Sequence, residues 1–216
     1  MKPKICFIMT DAVSFNVLYR NQLEYIRDSS NFEITLICGG SREQLDILRA
    51  RNLGEVVDLN FQRKPSVLQD AKSLVLLTRY LFIRRFDIVV YLTPKALLLG
   101  SIASTLTMQK RRVAFSVGRA YENFSGLKKR AFQGLDQLSF GLSHEVLFVS
   151  DSLVNVCLSE NLLKENKARV IDNGSFNGID IDVLRPVEQM AKQKLRRQYR
   201  VPVDAFVICV VGRICE

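Results

Sequence analysis

Short apolar runs alternate with stretches of helical spacing along this chain. Residues 5–9 read as a first strand, 32–38 as a second, 56–59 as a third and 86–92 as a fourth. Further strands are predicted at 113–116, 146–149 and 169–171. Helical patterns fill the gaps at 17–27, 41–51, 69–85, from Pro94, at 127–142 and from Asp151. Asn16, Ser41 and Ser150 stand where helix caps belong, and Pro94 sits at a first helical turn. Strands and helices in alternation with short connections predict an α/β fold: a Rossmann-like, doubly wound, mostly parallel sheet covered on both faces.

Such sheets bind ligands beyond the carboxyl ends of their strands. The loops to watch are therefore 10–16, 39–40, 93–95, 116–126, 150–151 and 172–180. After residue 182 the texture changes to a polar, basic helical pattern at 187–199. Pro202 and Asp204 then turn the chain into an apolar run at 206–211, followed by Gly212-Arg213. We read 1–180 as one domain, 181–204 as a linker with a basic helix, and 205–216 as the first strand and turn of a second domain otherwise missing. A buried parallel strand needs neighbours on both sides.

With 216 residues and 48% hydrophobic content the chain can bury a sizeable core. Its net charge of +9 points to anionic partners: phosphorylated small molecules, anionic lipid surfaces or nucleic acid. Cys6, Cys38 and Cys209 lie within apolar runs and no C-x-x-C pair is present, so we expect buried thiols in a reducing cytosol and no bound metal. No signal peptide is expected: Lys2 and Lys4 precede an apolar stretch that Thr10, Asp11, Ser14 and Asn16 interrupt. No uncharged run reaches the roughly 20 residues that span a bilayer.

The first strand-to-helix loop, TDAVSFN, has no glycine, which removes the G-x-G-x-x-G fingerprint and the P-loop. Asp11, Ser14 and Asn16 either bond a polar ligand there or cap the helix. The loop SVGRAYENFSGLKK offers Gly118 for close backbone approach, Arg119 for bidentate pairing with an anion, and Tyr121 and Phe124 as pocket walls. Asn173-Gly174 and Asn177-Gly178 supply turns of positive φ. His144, the single histidine, falls before a strand and away from the ligand edge, and no G-x-S-x-G elbow accompanies it. Basic clusters at 84–85, 110–112 and 128–130 flank apolar helices, either as solvated faces or as contacts to an anionic membrane.

In their order and spacing, VVYLTPKALLLGSIAS, VAFSVGRAYENFSGLKKRAF, EVLFVSDSLV, VIDNGSFNGIDIDVLRP and FVICVVGR resemble the retaining, nucleotide-sugar-dependent glycosyltransferases of the GT-B fold, family 4 type. The resemblance covers nearly the whole chain as the N-terminal domain of that family. It implies an acceptor-binding half that passes a hexose or acetamido-hexose from a nucleotide diphosphate sugar to a lipid-linked or surface-glycan acceptor, in capsule, O-antigen or exopolysaccharide synthesis. It implies cleft residues Asp11, Asn16, Gly118, Arg119, Asn173 and Gly174, with Gly212 and Arg213 facing the donor diphosphate. It also implies no metal and no cofactor beyond the donor, a cytoplasmic location, peripheral on the inner membrane face, and no turnover by this chain alone.

The chain departs from the family in its glycine-free first loop and in Val117, where many members carry histidine. Two further readings stay open. In one, a partner chain supplies the donor half. In the other, the chain is a non-catalytic anion or nucleic-acid binder, although no helix-turn-helix, RNP-like or zinc pattern supports nucleic acid.

Overall fold

The computed structural model describes residues 2–178 and 181–212. Two compact units divide the chain, 1–177 and 178–216. The first is a seven-stranded parallel sheet in the order β3-β2-β1-β4-β5-β6-β7. Its strands are β1 (Lys4–Asp11), β2 (Glu33–Gly39), β3 (Glu55–Asp58), β4 (Ile88–Tyr91), β5 (Arg111–Ser116), β6 (Glu145–Phe148) and β7 (Ala168–Val170). The helices are α1 (Ala12–Leu18), α2 (Gln22–Ser29), α3 (Arg42–Ala50), α4 (Val67–Arg84), α5 (Pro94–Leu106), α6 (Gly126–Leu142) and α7 (Asp151–Ser159). The second unit holds α8 (Gln189–Gln198). The expected α/β, Rossmann-like sheet is present.

The continuous apolar runs follow from burial on both faces. In β1, Cys6 and Ile8 join Leu77 and Leu81 of α4, Phe140 of α6 and Cys157 of α7 on one side. Ile5, Phe7 and Met9 pack on the other side with Phe15 and Leu23 of the first two helices and with Leu45 and Leu48 of α3. Strand side chains alternate faces, so neighbouring residues of one run serve two separate cores.

Two sequence expectations change. The helix predicted at 17–27 is broken into α1 and α2, and Asn21 between them takes φ 60°. Arg51 accounts for the break. Its guanidinium donates to the carbonyl oxygens of Phe15, at 2.9 Å, and of Tyr19, and it pairs with Glu24 at 2.9 Å. These bonds satisfy the end of α1 from a distant part of the chain.

The predicted strand at 206–211 is not formed: among the described residues it pairs with no other strand, and Phe206 and Val211 are 90% and 92% exposed. A strand exists only through its ladder partners. Arg213 lies outside the described residues, while Gly212 is described and exposed.

Candidate functional site

Strand order reverses at β1, which has β2 on one side and β4 on the other. In sheets of this class such a switch point marks the ligand crevice, beyond the carboxyl ends of the strands. The two strand ends meet there through Thr10 and Thr93. The Thr10 amide donates to Thr93 Oγ1 at 3.1 Å, and the two hydroxyl oxygens lie 2.8 Å apart. Thr93 has φ 60°, an outlier for a β-branched residue, and it opens α5. Strain of this kind marks ligand sites and switch regions in folds of many types.

Asp11 follows at the end of β1 and caps α1 by accepting from the Val13 amide at 2.8 Å. Its second oxygen, Oδ2, pairs with Arg63 Nε at 3.3 Å. Arg63 is 62% exposed on its side chain, so this cation is available to an anion entering the crevice. A second cation, Lys95, is held by Asp70 at 2.6 Å and by the Lys64 carbonyl at 2.8 Å.

Asn16 does not cap a helix, since Asp11 takes that place at α1. It lies inside α1, and its amide nitrogen donates to the Gln44 carbonyl at 3.0 Å and to Gln44 Oε1 at 3.1 Å, tying α1 to α3. Arg119 is likewise engaged by the protein. Its side chain is 13% exposed, its Nη1 donates to Glu160 Oε2 at 2.9 Å, and Lys129 approaches the other oxygen at 3.4 Å. Burial opposes the Glu160 charge, but hydrogen bonds from Gln133 and Arg119 and the charges of Arg119 and Lys129 outweigh it. The carboxyl is thereby held below its usual value.

The loop after β5 folds onto α6. Tyr121 is buried, and the rings of Tyr121 and Phe124 lie 6.4 and 5.2 Å from Phe132. The Tyr121 hydroxyl is buried near the Asp136 carboxyl but not at hydrogen-bonding geometry. Burial raises the Asp136 carboxyl to about 6, against the lowering influence of Tyr121 and Arg119.

Gly118 has φ 155° and no heavy atom within 4 Å of the place a Cβ would take, so the loop backbone there is open to approach. Gly174 is the reverse case: at φ 77°, a Cβ would lie 2.6 Å from the Val149 carbonyl oxygen, which closes the turn after β7 onto the end of β6. Asn173 beside it is exposed on the same rim. His144 lies at the amino end of β6, far from this rim, where Nδ1 accepts from the Arg112 amide at 3.1 Å. Burial first, then the charges of Arg112, Arg111 and Lys167, lower its pKa.

Thr10 and Thr93 fall in the loops 10–16 and 93–95 that the sequence marks, but their pairing and Arg63 are not legible there. Nothing in a threonine before a proline signals positive φ, and Arg63 meets Asp11 only through the fold. Among the described residues no cluster of three His, Cys, Asp or Glu could hold a metal ion, and no helix is long and apolar enough to cross a membrane.

The fold is shared with known proteins. The sheet is a GT-B-type half. The chain superposes on HepE of Anabaena, solved with UDP and glucose, with a TM-score of 0.62 at 18% identity, covering 92% of this chain and 50% of that one. A UDP-N-acetylglucosamine 2-epimerase from Rickettsia bellii gives a TM-score of 0.64 at 10% identity, covering 94% and 52%. In sequence the chain is 28% identical over 219 residues to the capsular polysaccharide biosynthesis glycosyltransferase CapM of Staphylococcus aureus, covering 100% of this chain and 55% of CapM. The chain thus spans about half the length of the proteins it matches. No family model matches it.

Proposed function

We propose that this chain is the acceptor-side half of a retaining, nucleotide-sugar-dependent glycosyltransferase that builds capsular or other surface polysaccharide. The observation that carries the reading is the similarity to CapM, which runs the whole length of this chain. The GT-B-type sheet is common to transferases and epimerases, so the fold by itself favours neither. In this reading the donor is a nucleotide diphosphate sugar carrying a hexose or acetamido-hexose, and the acceptor is lipid-linked or a growing glycan. The reaction needs no metal and takes place in the cytoplasm.

The roles follow from the crevice. The Thr10–Thr93 pair holds its floor together, and the backbone at Gly118 and the exposed Asn173 line its rim. Asp11 orients Arg63 toward an entering acceptor phosphate. Arg119 positions the loop through Glu160 rather than touching ligand. In this reading Gly212 and Arg213, the latter outside the described residues, contact the donor diphosphate, and further charge that stabilises the leaving diphosphate comes from the donor side.

The test is sugar transfer by the purified chain, supplied with uridine diphosphate sugars and a membrane lipid extract, beside a fusion to the second half of CapM. The reading expects no transfer by the chain alone and transfer by the fusion. Transfer by the chain alone would overturn the half-enzyme assignment. Conversion of UDP-N-acetylglucosamine to its epimer by the fusion, without transfer, would replace transferase with epimerase.

A further inference from the structure

The amino ends of the inner strands carry a second concave site, at the opposite edge of the sheet from the crevice. A cleft of about 400 Å³ opens there between the start of β1, the end of α4 and the turn before β5. Its volume falls within the roughly 300–1,000 Å³ of small-molecule pockets. Five cations line it: Lys2, Lys4, Arg84, Arg85 and Lys110. The basic runs at 84–85 and 110–112 are remote in sequence, and the fold brings their ends together with Lys2 and Lys4 in one wall.

The acids nearby do not cancel this charge. Asp87 accepts from the Lys4 amide on Oδ2 at 2.8 Å and pairs with Lys110 through Oδ1 at 2.5 Å. Glu55 pairs with Arg84. Glu33 stands opposite Lys4 in the β1–β2 register. Among the described residues, no carboxylate lies within ion-pair distance of Lys2, Lys4 or Arg85. The carbonyl end of α4 adds about half a negative charge. Five cations outweigh these three acids and the helix end, so the cleft is positive.

Arg85 is held ready. Its backbone takes φ 48°, which costs a non-glycine residue energy and persists only where neighbours enforce it. Its amide donates to the Leu81 carbonyl at 3.1 Å, and its Nη1 donates to the Thr107 carbonyl at 2.9 Å. The guanidinium lies 5.3 Å from the centre of the Phe82 ring. Buried Gln109 locks the same corner: it accepts from the Phe86 amide at 2.8 Å and donates to the Leu81 carbonyl at 2.9 Å. One corner of the guanidinium is thereby anchored, and its other N–H groups are left for an anion.

We propose that this cleft binds a soluble anion carrying two or more linked phosphates. A single phosphate fills little of the cleft and does not reach cations contributed by three elements. Linked phosphates meet several of them at once, with the guanidinium and the ammonium groups donating to phosphate oxygens. Binding here requires no sugar transfer, so it stands apart from the transferase reading.

The experiment is isothermal titration calorimetry of the full chain with sodium tripolyphosphate, pyrophosphate and orthophosphate, at low and high salt. One site per chain is expected, tightest for tripolyphosphate, undetectable for orthophosphate and weakened by salt. Arg85→Gly removes the guanidinium and suits the positive φ, and it should weaken binding about tenfold. Lys2→Ala/Lys4→Ala should weaken it about as much, while Arg63→Ala, at the other end of the sheet, should leave it unchanged. A thermal melt checks that each variant folds, and Lys2→Ala alone gives a milder probe at an exposed position. Absence of tripolyphosphate binding would overturn the proposal. So would a loss in Arg63→Ala with none in the cleft variants, which would move the anion to the crevice. Binding to phosphatidylglycerol vesicles or to a polyglutamate peptide that tripolyphosphate does not displace would assign the cleft to a lipid or to an acidic protein segment instead.

Discussion

The ring of Phe176 lies 5.3 Å from that of Tyr19, although the two residues come from opposite ends of the first compact unit. Phe176 also meets Phe115 at 5.2 Å. Gln22 reinforces the crossing by donating to the Phe176 carbonyl and, at 3.0 Å, to Asn177 Oδ1. The segment leaving edge strand β7 therefore returns across the carboxyl rim of the sheet to β5 and to the α1–α2 break.

Phe176→Ala removes both ring contacts from a half-buried position. We expect a loss of about 2 kcal/mol, below the figure for a fully buried phenylalanine, read as a lower urea midpoint at unchanged slope. Phe176→Leu should lose less than half as much. A midpoint equal to wild type for Phe176→Ala would mean that the crossing is not held in solution.

Arg119 and Glu160 form a partly buried pair whose members are 13% and 22% exposed. Removing either partner strands the other, so Arg119→Ala and Glu160→Ala should each destabilise by about 2 kcal/mol. The double variant should cost about 1 kcal/mol less than the sum, which is the coupling between the two side chains. Additive losses would mean that Arg119 does not work through Glu160, contrary to its positioning role.

Asp136 makes folding stability depend on pH. Its folded value, raised to about 6 by burial, stands above that of an aspartate in the unfolded chain. Between the two values the folded state binds more protons, so this group's contribution to stability falls as pH rises through the window and stays lost above pH 6. Asp136→Asn removes the buried charge and should stabilise the protein at pH 7.5 by about 1–2 kcal/mol, with the gain fading toward pH 4. Chemical denaturation of both proteins across that range gives the measurement, and a pH-independent difference would rule out the titration.

Cys6, Cys38 and Cys157 are buried and Cys209 is exposed. Burial raises the thiols of Cys6, Cys38 and Cys157, the second to about 12 and the third to about 11. A maleimide reagent on the native protein should modify Cys209 while these three react only after unfolding. Peptide mass spectrometry reads the result, and fast labelling of Cys157 would place the β5–α6 loop away from its packed position.

The parallel sheet was legible in the chain because its inner strands β1, β2 and β4 are buried on both faces, and that burial writes an unbroken apolar run into a few consecutive residues. The helices between the runs, and caps such as Ser41 and Ser150, are likewise encoded over one or two turns. What stayed hidden depends on partners remote in sequence. Arg51 ends α1, Glu160 pairs with Arg119, and Gln44 accepts from Asn16. The run at 206–211 has strand composition but finds no ladder among the described residues. In α4, periodicity alone could not say which of its many apolar side chains faced the sheet: Leu77 and Leu81 went inward and Val75 and Phe82 outward. Periodicity records how apolar a segment is, whereas burial and ion pairing depend on which surfaces the folded chain brings together.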